Sequence, residues 1–227
     1  MQTAFIFDID GTLIDSVDFH AEAWQRTLAH FGFTVPYPVV RSQIGKGGDQ
    51  LLPVFVPAEA LARLRNGIEK YRSELFTREY LPRIRPFPRV RDLFLRIRKD
   101  GYRIGLATSA KTDEVTAYKT LANITDLIDA ETSSGDVDCS KPCPDVFEVA
   151  VDKLNVEPDN AIVIGDTPHD ATAARRARLR IVGVLCGGFA ERDLREAGCR
   201  SIYRDPADLL EHYDEIQSLV TPFPQTP

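Results

Sequence analysis

Short apolar segments alternate with helical segments over most of the chain, and this alternation restricts the fold more than any other feature of the sequence. Apolar runs predict strands at about 3–9, 103–108, 126–130, 161–165, 180–185 and 201–203. Between them, the sequence predicts helices at about 88–100, 112–122, 144–155, 169–178 and 206–218. Such alternation is typical of right-handed crossovers and of a parallel sheet covered on both faces.

The segment between the first strand and this alternating region has a different pattern. Apolar residues at helical spacing indicate helices at 17–31 and 58–79. Residues 36–57 are rich in proline and glycine and predict an irregular stretch, with a short helix near 49–55. The segment therefore predicts a small, all-helical insert rather than a further part of the sheet.

Prolines at positions 82, 86 and 88 mark the end of this insert. The fold class that we predict is α/β, with a Rossmann-like parallel-sheet core and the small helical domain inserted after the first strand. The predicted bounds are 1–15 and 83–220 for the core, 16–82 for the helical insert, and 221–227 for a C-terminal tail.

Charge and hydropathy exclude several classes of function. The chain has 227 residues and a formal net charge of −6, so it lacks the basic field that a nucleic-acid partner requires. No run of about 18 apolar residues occurs, so we expect no membrane span. The N-terminus leads directly into a strand without the features of a signal peptide, and we therefore expect a cytoplasmic protein. The sequence gives no indication of the oligomeric state.

The four cysteines are Cys139, Cys143, Cys186 and Cys199. Without a secretory signal, we expect them to be thiols rather than disulfides. The spacing of Cys139 and Cys143 lacks a second cysteine pair or a histidine cluster nearby, so a structural zinc site is not expected. Because these two cysteines flank Lys141, the sequence leaves open whether they are activated thiols or ordinary ones.

Residues capable of chemistry gather at one predicted edge of the sheet. The first strand ends at Asp8, the second at Thr108, and Asp166 directly follows the strand at 161–165. Lys141 lies in the loop that leaves the strand at 126–130. Ligands of open parallel sheets bind outside the carboxyl ends of the strands. The sequence therefore predicts a ligand site at this edge.

The charges expected there suit a metal ion and a phosphate group. Asp8, Asp166 and Asp170 would crowd three carboxylates, and such a cluster normally needs a hard cation such as Mg²⁺. Lys141 and the Thr108 hydroxyl can donate hydrogen bonds to phosphate oxygens.

Two neighbouring segments complete this prediction. Main-chain N–H groups near Ser109 precede a predicted helix and can bind phosphate. Asp10 lies two residues after Asp8, so an extended chain would place both side chains on one face. Gly11 allows the backbone to turn, so that Asp10 can reach the leaving oxygen.

Four motifs, in order along the chain, resemble those of the haloacid dehalogenase superfamily. Residues 8–12, Asp-Ile-Asp-Gly-Thr, match the first motif, D-x-D-G-T, and Thr108 matches the second. Residues 141–147 resemble the K-P-x-P-x-x-F form of the lysine motif, and residues 165–170 match G-D-x-x-x-D. The resemblance spans nearly the whole chain. The helical insert is similar to the helical cap of a subgroup that includes phosphoglycolate phosphatases.

The resemblance implies a Mg²⁺-dependent phosphatase that hydrolyses a small phosphorylated metabolite. Asp8 would be the nucleophile that forms an aspartyl-phosphate, and Asp10 would protonate the leaving oxygen and then activate water. Asp8, the main-chain carbonyl of Asp10, and Asp166 would hold Mg²⁺, with Asp170 acting through water. The residues expected to bind the phosphate or the rest of the substrate are Thr108, Ser109, Lys141, Gly11 and Lys46.

Asp10 separates the activities found in this superfamily. Dehalogenases resemble this fold but lack that acid, because a halide needs no proton. The alternative to a phosphatase is a phosphosugar mutase resembling β-phosphoglucomutase. Two departures disfavour it, because Gly48 stands where the mutase has a phosphate-binding arginine and Ala110 where it has a serine. A binding module without catalysis is the third hypothesis, although binding alone would not require Asp10.

Several residues have a structural explanation beside a functional one. Lys46 lies in a glycine-rich loop of the helical insert, and the sequence leaves open whether it meets the leaving group or is solvated. We expect His20 to be a packing or hinge residue, Trp24 to be core of the insert, and His169 to be a surface position. Lys111 is equally consistent with a phosphate contact and with a solvated helix start.

Overall fold

The apolar run at the start of the chain forms a central strand of a six-stranded parallel sheet. The computed structural model describes residues 2–220. The strands in these residues are β1 (Ala4–Phe7), β2 (Ile14–Asp15), β3 (Arg85–Pro86), β4 (Arg103–Ala107), β5 (Ala130–Thr132), β6 (Ala161–Gly165), β7 (Arg180–Val184) and β8 (Ser201–Tyr203). The large sheet has the order β5-β4-β1-β6-β7-β8, and every neighbouring pair is parallel. The predicted α/β parallel-sheet architecture is therefore confirmed.

Helices cover both faces of this sheet. The helices are α1 (Val17–His30), α2 (Tyr37–Arg41), α3 (Gly48–Phe55), α4 (Ala58–Leu75), α5 (Val90–Lys99), α6 (Thr112–Leu121), α7 (Asp145–Leu154), α8 (Pro168–Arg176), α9 (Glu191–Ala197), α10 (Pro206–Glu211) and α11 (Tyr213–Val220). Phe5 and Phe7 of β1 belong to one buried cluster, which includes α5 and α6 residues. Ala4 and Ile6 belong to a second cluster, which includes α7 and α8 residues. Successive residues of the strand thus face opposite layers, as the pleat requires.

Helices α1 to α4 lie between β1 and β4 in the sequence and bury their own apolar cluster. Trp24, Leu28 and Ile68 are among its buried members. The chain leaves the core through β2 and returns through β3, and these two short strands pair antiparallel, with Ile14 opposite Pro86. This pairing lies close to the predicted domain bounds, which stay a prediction.

Three predicted elements differ from the structure. The strand expected at 126–130 is wrong, because 125–127 form a 3₁₀ turn and the strand that pairs with β4 is 130–132. Leu127 is buried in the core from that turn, so its hydrophobicity does not signal a strand. The helix expected at 206–218 is two helices that meet at His212, and the irregular stretch at 36–57 contains α2.

The remaining bounds agree to within a few residues, except that α4 ends at Leu75 and a π-helical turn occupies 76–80. The predicted tail at 221–227 lies outside the described residues. Between residues 2 and 220, no helix combines the length and apolar composition needed to cross a membrane.

Candidate active site

The carboxyl ends of the central strands bring the predicted residues together. Asp8 follows β1, Thr108 follows β4 and Asp166 follows β6, and these three strands are neighbours in the sheet. Later strands are added outward on both sides of β1, so β1 lies where the winding of the sheet reverses. Such a reversal opens the crevice in which ligands of α/β sheets bind.

Three aspartates form a buried carboxylate cluster in this crevice. Asp8, Asp166 and Asp170 each offer an oxygen, and these oxygens all lie within 4.8 Å of one another. Asp166 and Asp170 have no exposed surface, and Asp8 is 5% exposed. Three buried anions at this separation repel one another, so the cluster requires positive charge.

Lys141 supplies part of that charge. Its side chain is fully buried, and its Nζ donates hydrogen bonds to Asp8 Oδ1 and, at 2.8 Å, to the main-chain oxygen of Ala107. The same nitrogen lies 2.8 Å from Asp170 Oδ1. Burial alone would lower the pKa of Lys141, but the charges of Asp170 and Asp8 outweigh it and raise that pKa above its usual value. Lys141 is therefore a permanent cation that bridges two of the three carboxylates.

One lysine does not neutralise the cluster. Burial raises the pKa of Asp8 to about 7, since the opposing charge of Lys141 is offset by Asp170 and Asp10. Burial, with the charges of Asp8 and Asp170, also raises the pKa of Asp166. A divalent cation at this position would restore the ionised form of both carboxylates.

The surroundings of Asp166 fit such a cation. Thr12 Oγ1 donates to Asp166 Oδ1 at 3.0 Å, whereas the buried Oδ2 has no hydrogen-bond partner among residues 2–220. Two glycines make room for this carboxylate, because an added Cβ would lie 2.3 Å from Oδ2 at Gly11 and 1.7 Å from it at Gly187. Gly11 also has a φ of +87°, which disfavours any other residue. A free carboxylate oxygen among hard oxygen donors matches the ligand preference of Mg²⁺.

Asp10 is separate from the cluster and has different partners. Its Oδ1 accepts a hydrogen bond from Ser16 Oγ at 2.6 Å and lies 2.8 Å from His20 Nε2. Burial tends to raise the pKa of Asp10, but the charge and hydrogen bond of His20, with the Ser16 hydroxyl, lower it to about 2. The two aspartates of the first motif therefore have opposite pKa shifts, because Asp8 faces other carboxylates whereas Asp10 faces His20 and Ser16.

A cavity of about 270 Å³ lies between this edge of the sheet and the helical insert. Of the predicted site residues, Asp8, Asp10, Lys46, Thr108 and Ser109 line its wall. Gly11, Lys141, Asp166 and Asp170 do not.

The loop after β4 contributes donors and acceptors to the cavity. Thr108 is almost fully buried, and its Oγ1 accepts a hydrogen bond from the main-chain N–H of Ala110 at 3.0 Å. Ser109 Oγ donates to the main-chain oxygen of Gly45 at 3.4 Å, which links this loop to the helical insert. The segment predicted to bind phosphate therefore also contacts the glycine-rich loop.

Comparison with known proteins agrees with this geometry. The profile of the haloacid dehalogenase-like hydrolase family matches residues 5–184. The chain belongs to this family of hydrolases.

Its relatives include two named phosphatases. The hydrolase is 29% identical to validoxylamine A 7'-phosphate phosphatase of Streptomyces hygroscopicus subsp. limoneus, over 84% of this chain and 89% of that protein. It is 26% identical to a phosphoglycolate phosphatase of Nitrosospira multiformis, over 88% of this chain and 90% of that protein.

Solved structures show the same fold. A hydrolase from Pseudomonas syringae superposes with a TM-score of 0.83 at 32% identity, covering 95% of this chain and 99% of that one. The β-phosphoglucomutase of Clostridium difficile superposes with a TM-score of 0.79 at 22% identity, covering 97% of both chains. The second similarity shows the fold alone.

A buried network in the hydrolase extends from Asp10 to the helical insert. His20, which we expected to be a packing or hinge residue, is 5% exposed and stacks on Phe76 with ring centroids 4.2 Å apart. Its Nε2 lies 3.1 Å from the hydroxyl of Tyr118 as well as near Asp10, and its Nδ1 contacts the Arg72 guanidinium. His20 therefore packs as expected and also holds the Asp10 carboxylate.

Sequence reasoning missed two members of this network, Arg72 and Glu114. Arg72 Nη1 donates to Glu114 Oε1 at 2.6 Å, and both residues are buried. The sequence did contain an indication of this pair, since Arg72 lies on the buried side of α4 with Ile68 and Leu75. A charge at an apolar position of an amphipathic helix indicates a buried partner.

The cysteine prediction is wrong for one pair. Cys139 and Cys143 form a disulfide with an S–S distance of 2.07 Å, whereas Cys186 and Cys199 are free thiols as expected. The prediction relied on the cellular compartment, but a local turn brings the two Cα atoms to 5.8 Å, within the normal range for a disulfide. The disulfide spans Lys141, so the loop that carries this lysine is covalently closed.

The remaining residues for which the sequence allows both a structural and a functional role have defined surroundings in the structure. Lys46 lines the cavity, its Nζ donates to Gln43 Oε1 at 2.6 Å, and partial burial lowers its pKa. Trp24 is buried in the core of the insert, as predicted, and its edge also lines the cavity. His169 is half-buried, with its Nε2 3.3 Å from the main-chain oxygen of Ser42, and Lys111 is exposed at the cavity wall.

Proposed function

We propose that this hydrolase is a Mg²⁺-dependent phosphatase that cleaves a small phosphate monoester through an aspartyl-phosphate on Asp8. One observation carries the proposal. Asp8 and Asp10 line the same cavity, and a permanently charged lysine lies directly behind Asp8. Relatives that are named phosphatases, one for validoxylamine A 7'-phosphate and one for phosphoglycolate, support this class of reaction.

The residues that would hold Mg²⁺ are Asp8, Asp166 and the main-chain carbonyl of Asp10, with Asp170 acting through water. When bound there, the ion would shield the Asp8 carboxylate from the anionic substrate and offset charge in the transition state. The free Oδ2 of Asp166 and the shared site of the three carboxylates support this assignment.

In the first step, a carboxylate oxygen of Asp8 attacks phosphorus, and the bond between phosphorus and the leaving oxygen breaks. Asp10 gives a proton to that oxygen, so that a neutral alcohol departs. Lys141 holds Asp8 in position, and the Thr108 hydroxyl with the main-chain N–H groups near Ser109 bind the non-bridging phosphate oxygens.

In the second step, water attacks phosphorus of the aspartyl-phosphate, Asp10 accepts the proton, and Asp8 is regenerated. Asp10 must be protonated for the first step and ionised for the second. After the first step Asp10 is ionised, because its proton has left with the alcohol, and His20 Nε2, 2.8 Å from Asp10 Oδ1, is placed to stabilise that carboxylate until the attacking water returns a proton.

The mutase alternative requires that the substrate's second phosphate be bound in the helical insert. At Gly48, where the mutase has an arginine, an added Cβ would be in contact with Glu69 Oε1 at 3.5 Å and with the Trp24 ring at 3.6 Å. The Glu69 carboxylate beside Gly48 would repel a second phosphate group bound there. The phosphatase therefore accounts better for the wall of the cavity.

The proposed function predicts release of inorganic phosphate from p-nitrophenyl phosphate in the presence of Mg²⁺. Treatment with EDTA should reduce the rate to background, and excess Mg²⁺ should restore it, because the carboxylate cluster needs the cation. Phosphate release and nitrophenolate absorbance measure the rate. Activity that survives EDTA would contradict the metal assignment.

The same preparation separates the two enzymatic hypotheses. With β-glucose 1-phosphate, a phosphatase releases inorganic phosphate in step with substrate loss. Formation of glucose 6-phosphate without phosphate release would instead establish the mutase. An intact protein that binds these compounds without turning over any of them would favour the non-catalytic binding module.

A further inference from the structure

The charged pair Arg72–Glu114 lies in the wall of the catalytic cavity. Arg72 comes from α4 of the helical insert and Glu114 from α6 of the core, so the pair joins the two parts of the molecule. Their relative exposures are 9% and 4%, and both residues line the cavity together with Asp10. The pair is therefore placed where the alcohol part of a phosphate ester would lie.

Each member of the pair keeps one polar atom without a partner. Arg72 Nε and Glu114 Oε2 are buried and have no hydrogen-bond partner among residues 2–220. Buried polar atoms are normally satisfied, and exceptions at a site often mark a missing ligand. Arg72 Nε–H is a donor and Glu114 Oε2 is an acceptor, and a hydroxyl group can pair with both kinds of atom.

A second part of the wall is also suited to a hydroxylated group. Gly48 leaves uncovered the edge of the Trp24 ring and the Glu69 carboxylate, which an added Cβ would touch at 3.6 and 3.5 Å. An aromatic surface beside a carboxylate offers apolar contact to carbon-bound hydrogens and an acceptor for hydroxyls.

A carboxylate on the leaving group would be placed less favourably. Glu114 already neutralises Arg72, the buried cation of this wall, and Glu69 adds negative charge nearby. A substrate carboxylate would have to approach both acids. Lys46 and Lys111 also line the wall and could reverse this preference, and Lys46, the less exposed of the two, is part of the test below.

We infer that the leaving group is a neutral polyhydroxylated alcohol, and that Glu114 with Arg72 determines this specificity by binding one of its hydroxyls. The inference depends on the proposed phosphatase function and narrows it to phosphorylated polyols and sugars, against phosphorylated hydroxy acids. Glu114 is the determinant that rejects a carboxylate, and Arg72 is its partner.

The test uses two pairs of substrates that differ only in this group. They are sn-glycerol 1-phosphate with D-3-phosphoglycerate, and D-glucitol 6-phosphate with 6-phospho-D-gluconate. The measured quantity is the ratio of kcat/KM for the neutral member to that for the carboxylate member. For the wild-type protein we expect a ratio of about tenfold or more, the effect of one charged hydrogen-bonding group.

Three variants assign the preference to a residue. Glu114→Gln should lower the ratio about tenfold, because it removes the repelling charge and frees Arg72 for a carboxylate. Glu114→Asp keeps the charge and should preserve a preference for the neutral member. Asp113→Asn makes the same charge change at an exposed position of α6 and should leave the ratio unchanged.

The outcomes separate this inference from the proposed function. If wild-type protein does not hydrolyse even p-nitrophenyl phosphate, the phosphatase function fails. If the wild-type protein hydrolyses p-nitrophenyl phosphate but prefers the carboxylate member of each pair, the inference is overturned. Loss of the preference for the carboxylate in Lys46→Ala would then assign that preference to Lys46. A Glu114→Gln protein with normal melting and p-nitrophenyl phosphate turnover but an unchanged ratio would also overturn it. If Glu114→Gln does not fold, the inference is tested by the wild-type ratio and by whether Glu114→Asp preserves the preference for the neutral member.

Discussion

Asp8→Asn is expected to reduce phosphate release by on the order of 10⁴-fold or more, the usual loss when an enzyme's nucleophile is removed. The amide is nearly the same size as the carboxylate but cannot form an acyl-phosphate. The variant should still fold, because Lys141 keeps Asp170 as an ionic partner at 2.8 Å. The rate of phosphate release from p-nitrophenyl phosphate with Mg²⁺ measures the effect.

A matched substitution controls for nonspecific effects of the change. Asp152→Asn makes the same replacement on the exposed surface of α7 and should leave the rate unchanged. Thermal unfolding should show both variants folded. Residual Asp8→Asn activity within tenfold of the wild type would show that Asp8 is not the nucleophile.

Asp10→Asn is expected to have the second largest effect, and its size should depend on the leaving group. General acid–base catalysis contributes about 10²–10⁴-fold, and a sugar alcohol needs the proton whereas p-nitrophenolate leaves without it. We therefore expect kcat/KM to fall on the order of 10³-fold for glucose 6-phosphate and much less for p-nitrophenyl phosphate. The value of kcat/KM reports on the first step alone, since it does not depend on the rate at which the intermediate is hydrolysed.

Asp15→Asn provides the control for this variant, because Asp15 is a neighbouring aspartate with an exposed side chain. It should preserve kcat/KM for both substrates. Equal losses with both substrates in Asp10→Asn would mean that Asp10 does not protonate the leaving oxygen, and would assign it a structural role beside His20.

Local sequence patterns predicted the sheet and the position of its polar residues. Strands β1 and β6 are buried on both faces, and buried strands of this kind are continuous apolar runs that the sequence shows directly. Asp8 and Asp166 directly follow such runs, so the parallel topology was enough to bring them together. The motif resemblance then supplied roles that no spacing alone could give.

Contacts between distant segments could not be predicted in this way. Arg72 and Glu114 are 42 residues apart and belong to different helices, so neither helix pattern names the other as partner. The disulfide between Cys139 and Cys143 depends on the path of a single loop, whereas the argument from cellular compartment concerns average conditions. The strand predicted at 126–130 was wrong for a similar reason, because Leu127 lies in a turn and reaches the core through packing against distant segments.

The molecule divides its tasks between its two parts. The ends of β1, β4 and β6 hold the groups proposed for phosphoryl transfer, whereas Trp24, Glu69 and Arg72 of the helical insert line the part of the cavity that we propose for the alcohol. Function in such folds resides in the site rather than in the scaffold. Changes at Trp24 and Glu69, unlike changes at His20 beside Asp10, are therefore expected to alter which ester is cleaved without altering how it is cleaved.

The most direct test of the central claim is chemical trapping of the intermediate on Asp8. Protein quenched in acid during turnover of p-nitrophenyl phosphate is reduced with borohydride, which converts an aspartyl-phosphate to homoserine, and peptides are then analysed by mass spectrometry. We predict homoserine at position 8, formed only with substrate and Mg²⁺ and absent from Asp8→Asn. Steady turnover with no modification at position 8, or with the modification at another residue, would contradict the account.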